Sequence, residues 1–117
     1  MGILVMINGA PYGDERVFNA LRLAMALQAD PSTPDVTVCL VGDAASCAIP
    51  KQMTPQGYYN LERMFKAILG KKATVLACSS CLQARGLIEL ELIEGIEPTT
   101  MPEIAASVVA ADKVLSF

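Results

Sequence analysis

Apolar positions recur along this chain in two rhythms, one of strands and one of helices. Ile3-Leu4-Val5-Met6-Ile7 is a continuous apolar run, as expected of a strand buried on both faces. Asn8 closes it, and Gly9-Ala10-Pro11-Tyr12-Gly13 reads as the turn that follows. Asp14 is placed to cap a helix running to about Ala29, with Val17, Leu21 and Ala24 on one face and Phe18 and Met25 beside them. Asp30-Pro31-Ser32-Thr33-Pro34 then forces a loop. Val36 to Val41 predicts a second strand, ended by Gly42-Asp43, with Asp43 placed to cap a short helix that stops before Pro50. Lys51 to Gly57 is a polar loop long enough to be a lid. Asn60 caps the next helix, in which Leu61, Met64, Phe65, Ile68 and Leu69 follow at offsets 0, 3, 4, 7 and 8, a helical core stripe. Gly70 ends it.

The stretch from Lys71 to Gly86 organises the rest. Ala73 to Ala77 predicts a short buried strand that delivers Cys78 to the start of a helical turn, and Arg85-Gly86 closes that turn with Gly86 as a left-handed cap. From Leu87 to Glu97, Ile88, Leu90 and Leu92 alternate with Glu89 and Glu91, which predicts an extended segment or edge strand. Thr100-Met101-Pro102-Glu103 is a capping box with a proline in the first turn. It opens a helix to about Ala111, and Lys113 to Phe117 is the last strand. No repeat, low-complexity segment or linker divides the chain, so residues 1–117 read as one α/β domain. Strands alternating with helices across short turns imply a parallel sheet covered on both faces. In such folds the site lies at the carboxyl ends of the strands. A pocket there would gather Cys78, Ser79 and Ser80 with Asn8, Gly9, Tyr12 and Asp43, and Tyr58 from the polar loop.

Composition narrows the chemistry. A chain of 117 residues buries about two-thirds of the surface its unfolded form exposes. It is 53% hydrophobic but 5% aromatic, so the core is aliphatic and Met-rich. Mean hydropathy of +0.43 implies a covered sheet together with apolar surface buried between subunits. No apolar run approaches the ~20 residues that span a bilayer, and no basic stretch precedes the first run, which is a strand and not a signal peptide. A cytoplasmic location follows as the expectation, with the four cysteines reduced at rest. A net charge of −3 without a Lys/Arg block argues against nucleic acid. The chain has no histidine, which removes Ser-His-Asp triads, Cys-His dyads and histidine metal sites. Any nucleophile must be activated by backbone dipoles, by Lys or Arg, or by a partner.

The cysteines carry what chemistry remains. Cys39 within a strand and Cys47 on a short helix read as small apolar residues. Cys78 and Cys81 form a CxxC at a strand-to-helix turn, where free N–H groups and the helix dipole favour the thiolate. Three chemistries fit it. Thiol–disulfide exchange is one, although a thioredoxin-like domain carries its CxxC after an early strand and needs a later cis-proline loop. A zinc site completed by Cys39 and Cys47 is another, with CxxC as half of it. The third is a thiolate that receives and passes on sulfur, which needs one low-pKa, partly exposed cysteine and no histidine. Packing alone accounts for the spacing about as well as any chemistry. Gly9 to Gly13 lacks the glycine pattern of a phosphate-binding loop, and no Gly-Lys-Ser/Thr occurs. Asp43 reads more readily as a cap than as an acid. Arg85 suits either an anion at Cys78 or a helix C-terminus.

Taken together, Asn8-Gly9-Ala10-Pro11-Tyr12-Gly13, the helix Phe18 to Ala24, Gly57-Tyr58, Cys78-Ser79-Ser80-Cys81 with Arg85-Gly86, Glu94-Gly95 and the ending Ala111 to Phe117 resemble the DsrE/DsrF-like family, in particular its small stand-alone YchN-type members. The resemblance extends from end to end of the chain. It implies a three-layer α/β/α domain with a largely parallel sheet of about five strands. It also implies assembly into trimers or hexamers with the cysteine near a subunit boundary. Several relatives act in sulfur relay or sulfur oxidation, carrying a persulfide at the position of Cys78, and hetero-hexameric relatives pass sulfur toward tRNA thiolation. The expectation is therefore a sulfur carrier without cofactor or metal, sulfurtransferase-like, with protein donors and acceptors of sulfur. Cys78 would be the carrying residue, and Cys81 and Arg85 would modulate it or resolve it. A dithiol redox protein and a non-catalytic ligand- or protein-binding oligomer are the alternatives.

Overall fold

The structure, a computed structural model, describes residues 2–33 and 35–117. Met1 and Pro34, the latter assigned above to the loop after the first helix, lie outside the described residues. Five strands form one sheet: β1 (Ile3–Ile7), β2 (Val36–Leu40), β3 (Thr74–Cys78), β4 (Ile96–Thr99) and β5 (Lys113–Ser116). Their spatial order is β4-β3-β2-β1-β5, and every pairing is parallel. The register sets Met6 beside Cys39, Cys39 beside Leu76, and Cys78 beside Thr99. Pro98 sits within β4, opposite Ala77, in an edge strand where a proline is tolerated.

The connections are α1 (Arg16–Ala29), a 3-10 helix (Gly42–Ala48), α2 (Leu61–Gly70), α3 (Ser79–Ala84) and α4 (Met101–Ala110). The chain steps from β1 to β4 in one direction, and right-handed crossovers therefore place their helices on one face. The return from β4 to β5 runs the other way and puts α4 on the opposite face, giving three layers, α/β/α. The core divides accordingly. On the first face Val5, Ile7, Val38, Leu40 and Val75 pack against Val17, Leu21, Phe65, Ile68 and Leu82. On the second, Leu4, Cys39, Cys78 and Ile104 form a smaller cluster, with Met6, Val41 and Leu76 at its margin.

Several local expectations shift by a few residues. Asp14 accepts from the Arg16 N–H at 2.9 Å, but the residue before α1 is Glu15, whose side chain makes no cap. Asp43 does not cap the 3-10 helix; its carboxylate is turned to Arg85. Asn60 does cap α2, accepting from Arg63 N–H at 3.0 Å. Residues 87–95 form turns, not a strand. The apparent alternation arises because Leu87 and Leu92 tuck against the core while Ile88 and Leu90 stay exposed. Pairing with β3 begins only at Ile96. The capping box of α4 is present: the Glu103 carboxylate accepts from the Thr100 N–H at 3.1 Å and from its hydroxyl at 2.9 Å.

Candidate functional site

β3 ends on Cys78 and α3 begins on Ser79, so Cys78 is the residue from which the helix starts. Its side chain leaves the sheet toward α4 and is 1% exposed. The sequence led to the expectation of a partly exposed thiol. It is covered because the last residue of an inner strand lies under both the start of α3 and the first turns of α4.

Burial raises the Cys78 thiol pKa, and hydrogen bonding outweighs it. Cys81 packs against the cluster that holds Cys78, and the Ser80 hydroxyl lies 3.3 Å from the Cys78 sulfur; these two side chains and the free N–H groups of Cys81 and Ser80 are the donors. Neither N–H closes a capping hydrogen bond, but together the donors hold the Cys78 pKa below the ordinary thiol value. Cys81 behaves oppositely. Burial and the neighbouring Cys78 raise its pKa, against the Gly42 N–H, which reaches the Cys81 sulfur at 3.1 Å, and the charge of Arg85. Cys39 and Cys47 are raised by burial to about 11 and about 12. All four cysteines are free thiols, and Cys78 alone is shifted toward the thiolate.

Two turns close around this pair. Gly42, with φ +58°, donates its N–H to Cys81. Next to it, Asp43 accepts from Arg85 through Nε at 3.0 Å and Nη2 at 2.7 Å, while Arg85 Nη1 donates to the Cys81 carbonyl at 3.0 Å. Arg85 thus spans from the turn after β2 to the last residue of the CxxC.

The remaining residues are placed differently. Asn8 is exposed at the end of β1, its N–H bonded to the Phe117 carbonyl at 2.8 Å. Gly9 is buried where a side chain would meet Arg16 at 3.2 Å, so it serves the approach of α1. Tyr12 belongs to an aromatic layer: it stacks on Tyr59, which also stacks on Phe18, and its hydroxyl accepts from the Leu61 N–H at 3.1 Å. Tyr58 is exposed and lines a shallow cleft with Gly13, Asp14, Glu15, Gly57 and Tyr59. The polar loop meets the 3-10 helix through Gln52, whose amide donates to Ser46 and Ile49 carbonyls. Ser79 is the half-buried first residue of α3. Sequence reasoning passed over Thr99, the register neighbour of Cys78, which is 2% exposed; a Pro-Thr-Thr run carries no sign of a site. Among the described residues no three His, Cys, Asp or Glu side chains are arranged to hold a metal ion. No helix there is long and apolar enough to cross a membrane.

The model of the DsrE/DsrF-like family matches residues 1–117. Protein YchN of Escherichia coli K12 is 39% identical over 115 residues, covering 98% of this chain and 97% of that protein. An uncharacterised protein of Methanocaldococcus jannaschii is 34% identical over 117 residues, covering the whole of both chains. The crystal structure of YchN from Escherichia coli superposes with a TM-score of 0.92 at 38% sequence identity, over 99% of this chain and 98% of that one.

Proposed function

Because this chain belongs to the DsrE/DsrF-like family, we propose that it is a sulfur carrier whose Cys78 holds sulfane sulfur as a persulfide. The observation that carries this reading is the place of Cys78: it ends β3 at the start of α3, with the Ser80 hydroxyl 3.3 Å from its sulfur, and these surroundings lower its pKa while burial raises those of Cys39 and Cys47. In the loading step the Cys78 thiolate attacks the outer sulfur of a donor persulfide. The donor's S–S bond breaks, the donor leaves as a thiolate, and Cys78 becomes Cys78–S–SH. An acceptor thiolate takes the outer sulfur by the same step in reverse. Ser80 and the N–H groups of Ser80 and Cys81 favour the Cys78 thiolate both as attacking and as leaving group. Donor and acceptor are proteins on this reading, and the location is the cytoplasm, in keeping with four free thiols.

Assembly into trimers or hexamers of this chain belongs to the same reading. Its support is apolar surface on the thinly covered side of the sheet: Met101, Val108 and Val109 on α4 and Val114 on β5 are all exposed. Sedimentation would report the assembly; a monomer at micromolar concentration would count against it.

A dithiol redox protein is the second reading, favoured by Cys81 packing against the cluster that holds Cys78. Intact-protein mass spectrometry after exposure to a sulfane-sulfur donor separates the two. The carrier gains one sulfur atom, loses that gain in Cys78→Ser and keeps it in Cys81→Ser. A redox pair shows no sulfur adduct in any form and loses two protons in the wild type alone.

A further inference from the structure

Among the described residues, two buried side-chain oxygens have no hydrogen-bond partner, Gln28 Oε1 and Thr99 Oγ1. The first is half of an amide whose nitrogen is engaged twice, with the Ile68 and Lys71 carbonyls. The second is a whole hydroxyl left idle in a residue 2% exposed. Burying a hydroxyl without a partner is unfavourable, and such groups in a folded protein call for an explanation.

Its position supplies one. Thr99 and Cys78 are register partners on the parallel strands β4 and β3, so their side chains leave the same face of the sheet side by side. That face is the one toward α4, where Cys78 lies with Leu4, Cys39 and Ile104. The thiol itself is taken by Ser80, and the nearby Glu103 carboxylate is taken by Thr100. A donor therefore stands next to the reactive sulfur, in apolar surroundings, bonded to nothing.

We propose that the Thr99 hydroxyl is a binding group for the sulfane sulfur, donating a hydrogen bond to the outer sulfur once Cys78 carries a persulfide. The inference rests on the reading of Cys78 as a sulfur carrier. In the loading step the outer sulfur joins Cys78, the donor thiolate leaves, and the outer sulfur releases its proton to solvent, since a persulfide is more acidic than its parent thiol. The resulting anion is held in place by Thr99. In the unloaded protein the same hydroxyl is a cost to stability, accepted for the loaded state.

Two opposite effects test this. Thr99→Val keeps the side-chain shape and removes the hydroxyl, Thr99→Ser keeps the hydroxyl, and Thr99→Ala is a second hydroxyl-less form should the valine variant fold poorly. Each is loaded with an inorganic polysulfide under anaerobic conditions, the donor is removed, and the one-sulfur adduct is followed by intact-protein mass spectrometry. In Thr99→Val and Thr99→Ala the adduct should decay about tenfold faster than in wild type, the loss of one hydrogen bond to an anion. Thr99→Ser should stay near wild type. The unloaded Thr99→Val protein should melt about 5 °C higher, because an orphan hydroxyl is gone. Equal adduct lifetimes in wild type and the hydroxyl-less variants overturn the proposal, as does decay in Thr99→Ser as fast as in Thr99→Val. A wild-type protein that takes up no sulfur removes the carrier reading itself, and this inference with it.

Discussion

The N–H of Gly42 meets the sulfur of Cys81 at 3.1 Å, so the turn after β2 is fastened to the helix after β3 through a thiol. Gly42 holds φ +58°, where a side chain would find open space, its nearest neighbour the Asn8 carbonyl at 4.0 Å. Gly42→Ala therefore costs backbone strain alone, about 1 kcal/mol, read as a lower melting temperature. The strained turn also loosens the N–H that lowers the Cys81 pKa. In a Cys78→Ser background, the pH midpoint of Cys81 alkylation should move further up; an unchanged midpoint would mean the contact does not act on the thiol.

The four thiols should separate by pH. Cys78 lies below the ordinary value and Cys81 above it, with Cys39 at about 11 and Cys47 at about 12. The pH midpoint of alkylation by a small reagent should therefore be lower for Cys78 than for the more accessible Cys81, whatever their relative rates, with Cys39 and Cys47 reached only on unfolding. The signs differ for stability as well. The raised cysteines contribute stability that is complete below their unfolded value near 9 and is lost as pH rises toward 11 and 12, so denaturant midpoints should fall across that window. Cys78 works the other way: its depressed pKa contributes stability at pH above the unfolded value, lost as pH falls through the folded one. Cys78→Ser should flatten that lower limb and leave the alkaline fall in place.

Arg85 joins two turns at once, and its replacement should show that. Its ion pair with Asp43 is partly exposed, with side chains 33% and 67% accessible, so Arg85→Met should lower stability by about 1 kcal/mol or less. A lysine cannot reproduce the fork that serves both the carboxylate and the Cys81 carbonyl, so Arg85→Lys should not restore the loss. Loss of the guanidinium also removes a charge that lowers the Cys81 pKa. Cys81 alkylation should then begin at higher pH in Arg85→Met than in wild type, which urea titration and thiol labelling on the same samples would check.

Two tyrosines grouped with Cys78 by sequence should respond unequally. Tyr12 stacks on Tyr59 and accepts from the Leu61 N–H, so Tyr12→Phe should destabilise by about 1 kcal/mol. Tyr58 is 59% exposed, and Tyr58→Ala should change stability by less than about 0.5 kcal/mol. Thermal melts decide it. Neither substitution should alter sulfur loading of Cys78, and a loading defect in Tyr58→Ala would bring the polar loop into the site.

What the sequence disclosed follows the range of the forces involved. Continuous apolar runs marked β1, β2 and β3 because an inner parallel strand is buried on both faces, and Asn60, Gly86 and the Thr100–Glu103 box marked helix ends because caps are local. Cys78 at a strand-to-helix turn was legible for the same reason. Leu87 to Gly95 misled because two-residue alternation arises as readily from a turn that tucks Leu87 and Leu92 inward, while the edge strand itself begins at Ile96. Asp43 read as a cap because its competing partner, Arg85, lies 42 residues away. Thr99 left no trace at all: its relation to Cys78 exists only through the register of β3 and β4.

The two borders of the sheet are not alike. In the middle of β4, Pro98 breaks the row of backbone donors, and a border with a missing donor is a poor template for another strand. β5, from Lys113 to Ser116, has no such interruption. An added strand, from whatever chain, would find a continuous ladder only on the β5 side. The border next to Cys78 and Thr99 is left free of that competition, which keeps chain-to-chain zippering away from the thiol.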